Sequence, residues 1–345
     1  QGSTIRGGRP SSRSERAGYE VRRVQERQDP VEMWTLGVAR RRFALHTRTM
    51  DRSSAVKVGV VILPEHRWAV AAEQWRCSEA LGFDHAWTYD HLSWRDLRDG
   101  PWFGAVPTLA AAALVTTSIR LGVLVASPNY RHPVPFAKEI MSLDDLAGGR
   151  LTLGLGAGSV GYDASILGTP PWSRRERTER FVEFVDQLDV LLREPAVSIT
   201  GAYYSATEAR NHPGCVQQPR VPFAVAAAGP RGMRVAAAHG TSWVTYGDLS
   251  GAEHVDPVAG SRIVADQVTL LEEACHELGR DPDSIERIVL TGPQLDPCVD
   301  SVEAFRDMLG RYEEAGATDV VVHWPRESEP YRADRDDFVR AVSCR

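Results

Sequence analysis

From residue 57 onward the chain alternates short β-branched runs with helical stripes, a rhythm that few folds accommodate. "VKVGVVIL" (57–63 and its flank) is short and apolar, which predicts a buried strand. Residues 67–81 set Trp68, Ala72 and Trp75 at i, i+4 and i+7, a helical stripe that Gly82 closes. "FDHAWTY" (83–89) predicts the second strand, the alanine-rich 106–117 a helix, and "IRLGVLVA" (119–126) the third strand. Pro133 opens a helix with Phe136, Ile140 and Leu143 on one face, ended by Gly148 and Gly149. "RLTLGLG" (150–156) is the fourth strand.

Residues 176–193 predict a helix with Phe181, Phe184, Leu188 and Leu191 along one side. The irregular stretch 194–220 predicts a small hairpin inserted after this fourth helix. Strands then follow at 222–228, 242–247, 286–292 and 318–324, with helices at 231–239, 261–279, 301–315 and 333–342. Strands buried on both faces and joined by helical crossovers make a parallel sheet. Eight such units with no charged linker favour an α/β fold of the closed (β/α)8 TIM-barrel type. An open doubly wound sheet is the alternative, but the first strand lacks G-x-G-x-x-G and runs into "LPEHRW", which is no phosphate cradle.

Charge and cysteine usage exclude several functions. The chain of 345 residues carries a net charge of −6, and no basic stripe marks its body, so nucleic acid is not an expected partner. No apolar run reaches the length of a membrane helix. Cys77, Cys215, Cys275, Cys298 and Cys344 are odd in number and widely spaced, which suggests reduced thiols in a cytoplasmic protein. Residues 1–55 differ: 12 Arg stand against 6 Asp and Glu, a surplus of +6 that leaves −12 for the remaining 290 residues. They are expected to form a disordered basic N-terminal extension to a single domain at 56–345. A solvated tail is the plainer account of that stretch and a nucleic-acid arm the sharper one. The native start is expected near Met50.

In a barrel, chemistry gathers where strands exit into helices. "AWTYDHLSW" (86–94) places Asp90, His91 and Trp94 at the second exit. The third exit offers Asn129, Arg131 and His132, the sixth Tyr246 and Asp248, and the eighth His323 and Trp324. Histidines at three exits invite proton chemistry, since imidazole titrates near neutrality. No H-x-H or H-E-x-x-H spacing supports a metal, and none is expected. Two glycine runs follow: "GAGSVGYD" (156–163) after the fourth strand and "AGPRG" (228–232) after the fifth. Each alone reads as a tight turn. On successive exits they let the backbone approach a phosphate-bearing cofactor, with the N-terminus of a helix and Arg231 supplying positive charge.

The order of these motifs resembles the luciferase-like monooxygenase family, in particular its coenzyme F-420-dependent branch. The resemblance rests on "VGVVILP", "AWTYDHLSW", "LGVLVASPNYRHPVPFAKEIMSLDDLAGGRLTLGLGAG", "AAAGPRGMRVAAAHG" and "EAGATDVVVHWP", and covers about 56–342. It implies a homodimeric barrel binding F-420 or FMN in its mouth, acting on a small organic molecule, with a flavin reductase as partner in the FMN case. It implies a non-proline cis peptide and bulge at Leu124-Val125 or Val125-Ala126. It places Gly156, Ala157, Gly158, Gly229, Pro230, Arg231 and Gly232 around the cofactor's anionic tail. It makes His91 the base or hydrogen-bond donor, Asp90 its orienting partner or a cofactor ligand, and Trp94 an apolar wall. Sugar-phosphate dehydrogenases of this branch carry a glutamate where this chain has Ser159, a departure that argues against sugar-phosphate chemistry. Hydride transfer, FMN-dependent oxygenation and non-catalytic flavin binding all stay open.

Overall fold

The computed structural model describes residues 56–247, 255–292 and 294–344, so the readings made for 1–55 and for Asp248 lie outside the described residues. Eight parallel strands close into a barrel. In chain order they are β1 (Lys57–Val61), β2 (His85–Thr88), β3 (Arg120–Ala126) and β4 (Leu151–Leu155), then, beyond the hairpin β5 (Ala196–Thr200) and β6 (Ser205–Arg210), β7 (Phe223–Ala226), β8 (Ser242–Thr245), β9 (Glu286–Leu290) and β10 (Asp319–His323). Each barrel strand neighbours the next, β4 pairs with β7 across the inserted hairpin, and β10 closes on β1. The helices are α1 (Trp68–Ala80), α2 (Ala105–Val115), α3 (Pro133–Leu146), α4 (Arg174–Arg193), α5 (Pro230–His239), α6 (Pro257–Glu277), α7 (Val302–Glu314) and α8 (Arg335–Ser343). None of the described helices is long and apolar enough to cross a membrane.

The period-2 alternation of each strand sorts its residues between two cores. Val58, Val60, Leu121, Val123, Leu153 and Val320 face the helices. Val61, Trp87, Leu124, Ala224, Val244, Ile288 and Val321 fill the barrel. Trp87 fits there because its neighbours have no side chain: a Cβ on Gly122 would lie 2.2 Å from the indole. Below it a polar layer plugs the closed end. The Trp87 indole N–H donates to His85 Nδ1 (2.6 Å), so His85 Nε2 carries the hydrogen that reaches Asp319 (3.0 Å). Burial pushes the Asp319 carboxyl up, but hydrogen bonds from His85 and Thr318 outweigh it and hold the group below its ordinary range.

The expected strands are each a residue or more too long at their ends. Tyr89, placed in the second strand by its alternation, already lies beyond the ladder that stops at Thr88. The fourth helix starts at Arg174, two residues earlier than expected, because the Ser173 hydroxyl caps it by accepting from the Glu176 amide (3.2 Å).

Candidate active site

Parallel strands carry all their exits to one rim, so the loops after β2, β3 and β4 meet there. The loop after β2 holds His91 by both its backbone and its ring. The Trp102 indole N–H donates to the His91 carbonyl (2.8 Å). From the loop after β4, Asp163 reaches across: its Oδ2 accepts from His91 Nδ1, and its Oδ1 accepts from the amides of Leu92 (2.8 Å) and Ser93 (3.2 Å). Asp163 is only 5% exposed, whereas the His91 side chain is 29% exposed. His91 Nε2 has no hydrogen-bond partner among the described residues.

Asp90 does not orient His91, which corrects one of the two roles expected for it. Its carboxylate is 2% exposed and forked by Arg131, with Nε at 3.0 Å and a terminal nitrogen at 2.8 Å. Burial works against the charge on Arg131, and Asp90 more than offsets that, so the guanidinium is held above its ordinary range. Glu139 takes the other end of the fork (2.9 Å). The physical reason is competition: Arg131, from the loop after β3, claims Asp90, while Asp163, from the loop after β4, claims His91.

Trp94 is buried among aromatic rings stacked on it, Trp102 (centroids 5.9 Å apart, planes at 19°) and Tyr331 (6.0 Å, 22°). Tyr89 packs on it at 5.3 Å and hydrogen-bonds His323 Nε2 (2.6 Å). His323 is buried, and burial brings it down to about 3, so it stays neutral at physiological pH. His132 caps α3 by accepting from the Val134 amide (3.3 Å). Of the three exit histidines, only His91 combines a buried carboxylate partner with a free ring nitrogen.

The glycine loop after β4 lies directly on β3. The β3–β4 register shifts between Val123 and Ala126, and the Leu124-Val125 peptide is cis. A Cβ on Gly156 would sit 2.5 Å from Val125 Cγ2 and one on Gly158 2.7 Å from Asn129 Oδ1, with Gly158 in the left-handed region at φ +74°. Ala157 between them packs on the outer core. The Asn129 amide donates to the Ser159 carbonyl (3.2 Å), while its Oδ1 is buried without a partner. One rim position on, Gly229 opens α5 with no side-chain cap and with Pro230 in the first turn. Nothing lies within 4 Å of where a Gly229 Cβ would stand, whereas Gly232 is pressed against Ala227 (2.9 Å). Arg231 is exposed and borders an outer cleft beside Glu179, Glu183 and Asp186, so its charge serves the rim less directly than its position in the turn suggests. An uncapped helix start and a glycine shelf fit a flat cofactor with an anionic tail, and the unpartnered Asn129 oxygen, an acceptor, suits an N–H or O–H of such a group.

Asn129 stood among the residues of the third exit, whereas Asp163, Trp102 and Tyr331 were not legible as site residues. Asp163 stands 72 positions from its histidine, and no local spacing joins them.

A closed parallel barrel with a histidine–carboxylate pair at its mouth defines a class, the (β/α)8 barrels that carry chemistry at their strand exits. Within that class the match is specific: residues 43–319 fit the family described as luciferase-like monooxygenase, and the chain belongs to it. It is 32% identical over 219 residues to 4-hydroxyprotoasukamycin monooxygenase of Streptomyces nodosus subsp. asukaensis, covering 62% of this chain and 55% of that one. It is 37% identical over 171 residues to the F-420-dependent glucose-6-phosphate dehydrogenase of Beutenbergia cavernae, covering 48% and 49%. The chain thus spans about half the length of the curated relatives it matches. The solved coenzyme F-420-dependent tetrahydromethanopterin reductase of Methanopyrus kandleri shares the fold with a TM-score of 0.67 at 20% identity, covering 84% of this chain and 97% of that one.

Proposed function

We propose that this protein is an oxidoreductase that moves a hydride between coenzyme F-420 and a small organic molecule. The observation that carries this reading is the shelf made by the β3 bulge and Gly156–Gly158, stitched by the same loop to Asn129 on one side and to His91 on the other. Similarity to an F-420-dependent dehydrogenase supports it. A bound deazaflavin would supply a two-electron hydride acceptor or donor. Leu124 and Val125 would back its ring. Gly156, Ala157 and Gly158 would let main-chain amides approach its anionic tail, and Gly229, Pro230, Arg231 and Gly232 would present the uncapped start of α5 to it. The Trp94 stack would exclude water from one side of the substrate, and His91 Nε2 would handle its proton. Ser159 and the absence of a lysine at the rim make a sugar phosphate a poor candidate. A homodimer in the cytoplasm, with no need for a flavin reductase, belongs to the same proposal.

The second reading, FMN-dependent oxygenation with reduced flavin from a reductase, draws on the similarity to a monooxygenase. Fluorescence titration with oxidised and reduced F-420 and FMN separates them. Tight F-420 binding without FMN affinity is expected; FMN binding alone overturns the proposal and selects oxygenation.

A further inference from the structure

We infer that Asp163 is a positioning residue that locks His91 in the Nδ1–H tautomer, leaving Nε2 as a proton acceptor suited to a hydroxyl-bearing substrate. The inference rests on the hydride-transfer reading above. Its physical basis is the use of both carboxylate oxygens. A buried carboxylate is acceptor-only and must find donors. Oδ1 takes two main-chain amides, those of Leu92 and Ser93, and so fixes the turn that carries His91. Oδ2 takes the imidazole, and because a carboxylate offers no hydrogen, Nδ1 must be the ring's donor. One group thus sets both the place and the tautomer of the base. The neighbouring acid is committed elsewhere, since Asp90 is held by Arg131.

The chemistry that follows is an alcohol–carbonyl conversion. The substrate O–H bond breaks and its proton passes to His91 Nε2. A bound oxidised deazaflavin would supply the two-electron acceptor for the hydrogen that leaves the adjacent carbon with its electron pair, so that the alcohol becomes a carbonyl as the cofactor is reduced. Asp163 stabilises the imidazolium so formed, and the partly exposed ring returns the proton to solvent. In the reverse direction the imidazolium protonates the carbonyl oxygen as hydride arrives. A substrate lacking a hydroxyl or carbonyl at the reacting carbon would leave this acceptor unused.

Asp163→Asn tests the assignment. The variant keeps an oxygen for the Leu92 and Ser93 amides but turns an NH2 toward Nδ1, which forces the hydrogen onto Nε2. Nitrogen-15 NMR on histidine-labelled protein, with His91→Ala to assign the signal, reads the tautomer without any substrate. The wild type is expected to carry the hydrogen on Nδ1 and Asp163→Asn on Nε2. Across a panel of alcohols and ketones, turnover of the variant is expected to fall by about 100-fold or more, with KM and F-420 affinity changed little. An Nε2–H tautomer in the wild type overturns the assignment even if the variant fails to fold. So does variant turnover within about twofold of the wild type. A wild type that carries the Nδ1–H tautomer but binds no F-420 upholds the positioning role and overturns the hydride-transfer reading alone.

Discussion

At the scale of single residues, the acid next to the histidine in sequence is not the acid next to it in space. Asp90 and His91 share the loop after β2, yet their two side chains serve different partners. Asp90 belongs to a buried fork with Arg131, and His91 belongs with Asp163. The sequence could point to His91 because an imidazole at a strand exit is chemically apt, as it could to His132 and His323. It could not announce Asp163, whose role depends on how two distant loops meet. The buried fork makes a stability prediction. Arg131→Met strips a 2%-exposed carboxylate of its cation, and removing one partner of such a pair costs about 3–5 kcal/mol. Urea unfolding should register that loss, and a loss below about 1 kcal/mol would mean that Asp90 finds compensation elsewhere.

At the scale of elements, periodicity was enough to find every barrel strand and helix, because both core faces are apolar and the side-chain period differs between the two element types. Ends were harder to place. A strand stops where its ladder stops, and Tyr89 keeps the alternation after the hydrogen bonds have ended. The stretch 194–220 was readable only as a hairpin, since its turn is organised from outside. Glu183 of α4 accepts from the amides of Ala202 (3.0 Å), Tyr203 (2.9 Å) and Tyr204 (2.7 Å). Strand glycines carried a signal that sequence could not decode, for nothing in "RLGVLVA" says what lies against Gly122. The structure answers that it is Trp87, at a distance no Cβ tolerates. Gly122→Ala is therefore expected to overpack the barrel by about 1–3 kcal/mol and to alter tryptophan emission. Thermal melts and fluorescence check both, and an unshifted melt would show that the indole can move aside freely.

At the scale of the whole molecule, closure of eight strands follows from the count of alternating units and from the lack of a nucleotide fingerprint at the first exit. The fold was legible for that reason, and the site only in outline, because a site is a meeting of loops. Three groups set how stability varies with pH. Burial pulls the Glu79 carboxyl up, but the amides of Ile119, Ser118 and Thr117 outweigh it and bring it down to about 2. Its contribution is present above its ordinary 4.5 and is lost as pH falls through about 2. Hydrogen bonds to Asp186 and Asp189 raise His239 to about 9, so its contribution is present below its ordinary 6.5 and is lost as pH rises through about 9. Burial that holds His323 neutral adds a third contribution: the unfolded imidazole takes up a proton below its ordinary 6.5 and the folded one only near about 3, so stability falls as pH drops through that window. The melting temperature should accordingly peak near 6.5 and decline on either side. His239→Gln should flatten the alkaline decline, and an unaltered alkaline limb would contradict the assignment.

On the proposed function, the barrel mouth would seat a deazaflavin on the shelf between β3 and β4. A crystal structure of the protein grown with F-420 tests it most directly. The ring system should lie against Leu124-Val125 within reach of His91, with the anionic tail at Gly156–Gly158 and the start of α5. Cofactor density in the outer cleft beside Arg231, with the mouth filled only by solvent, would contradict it.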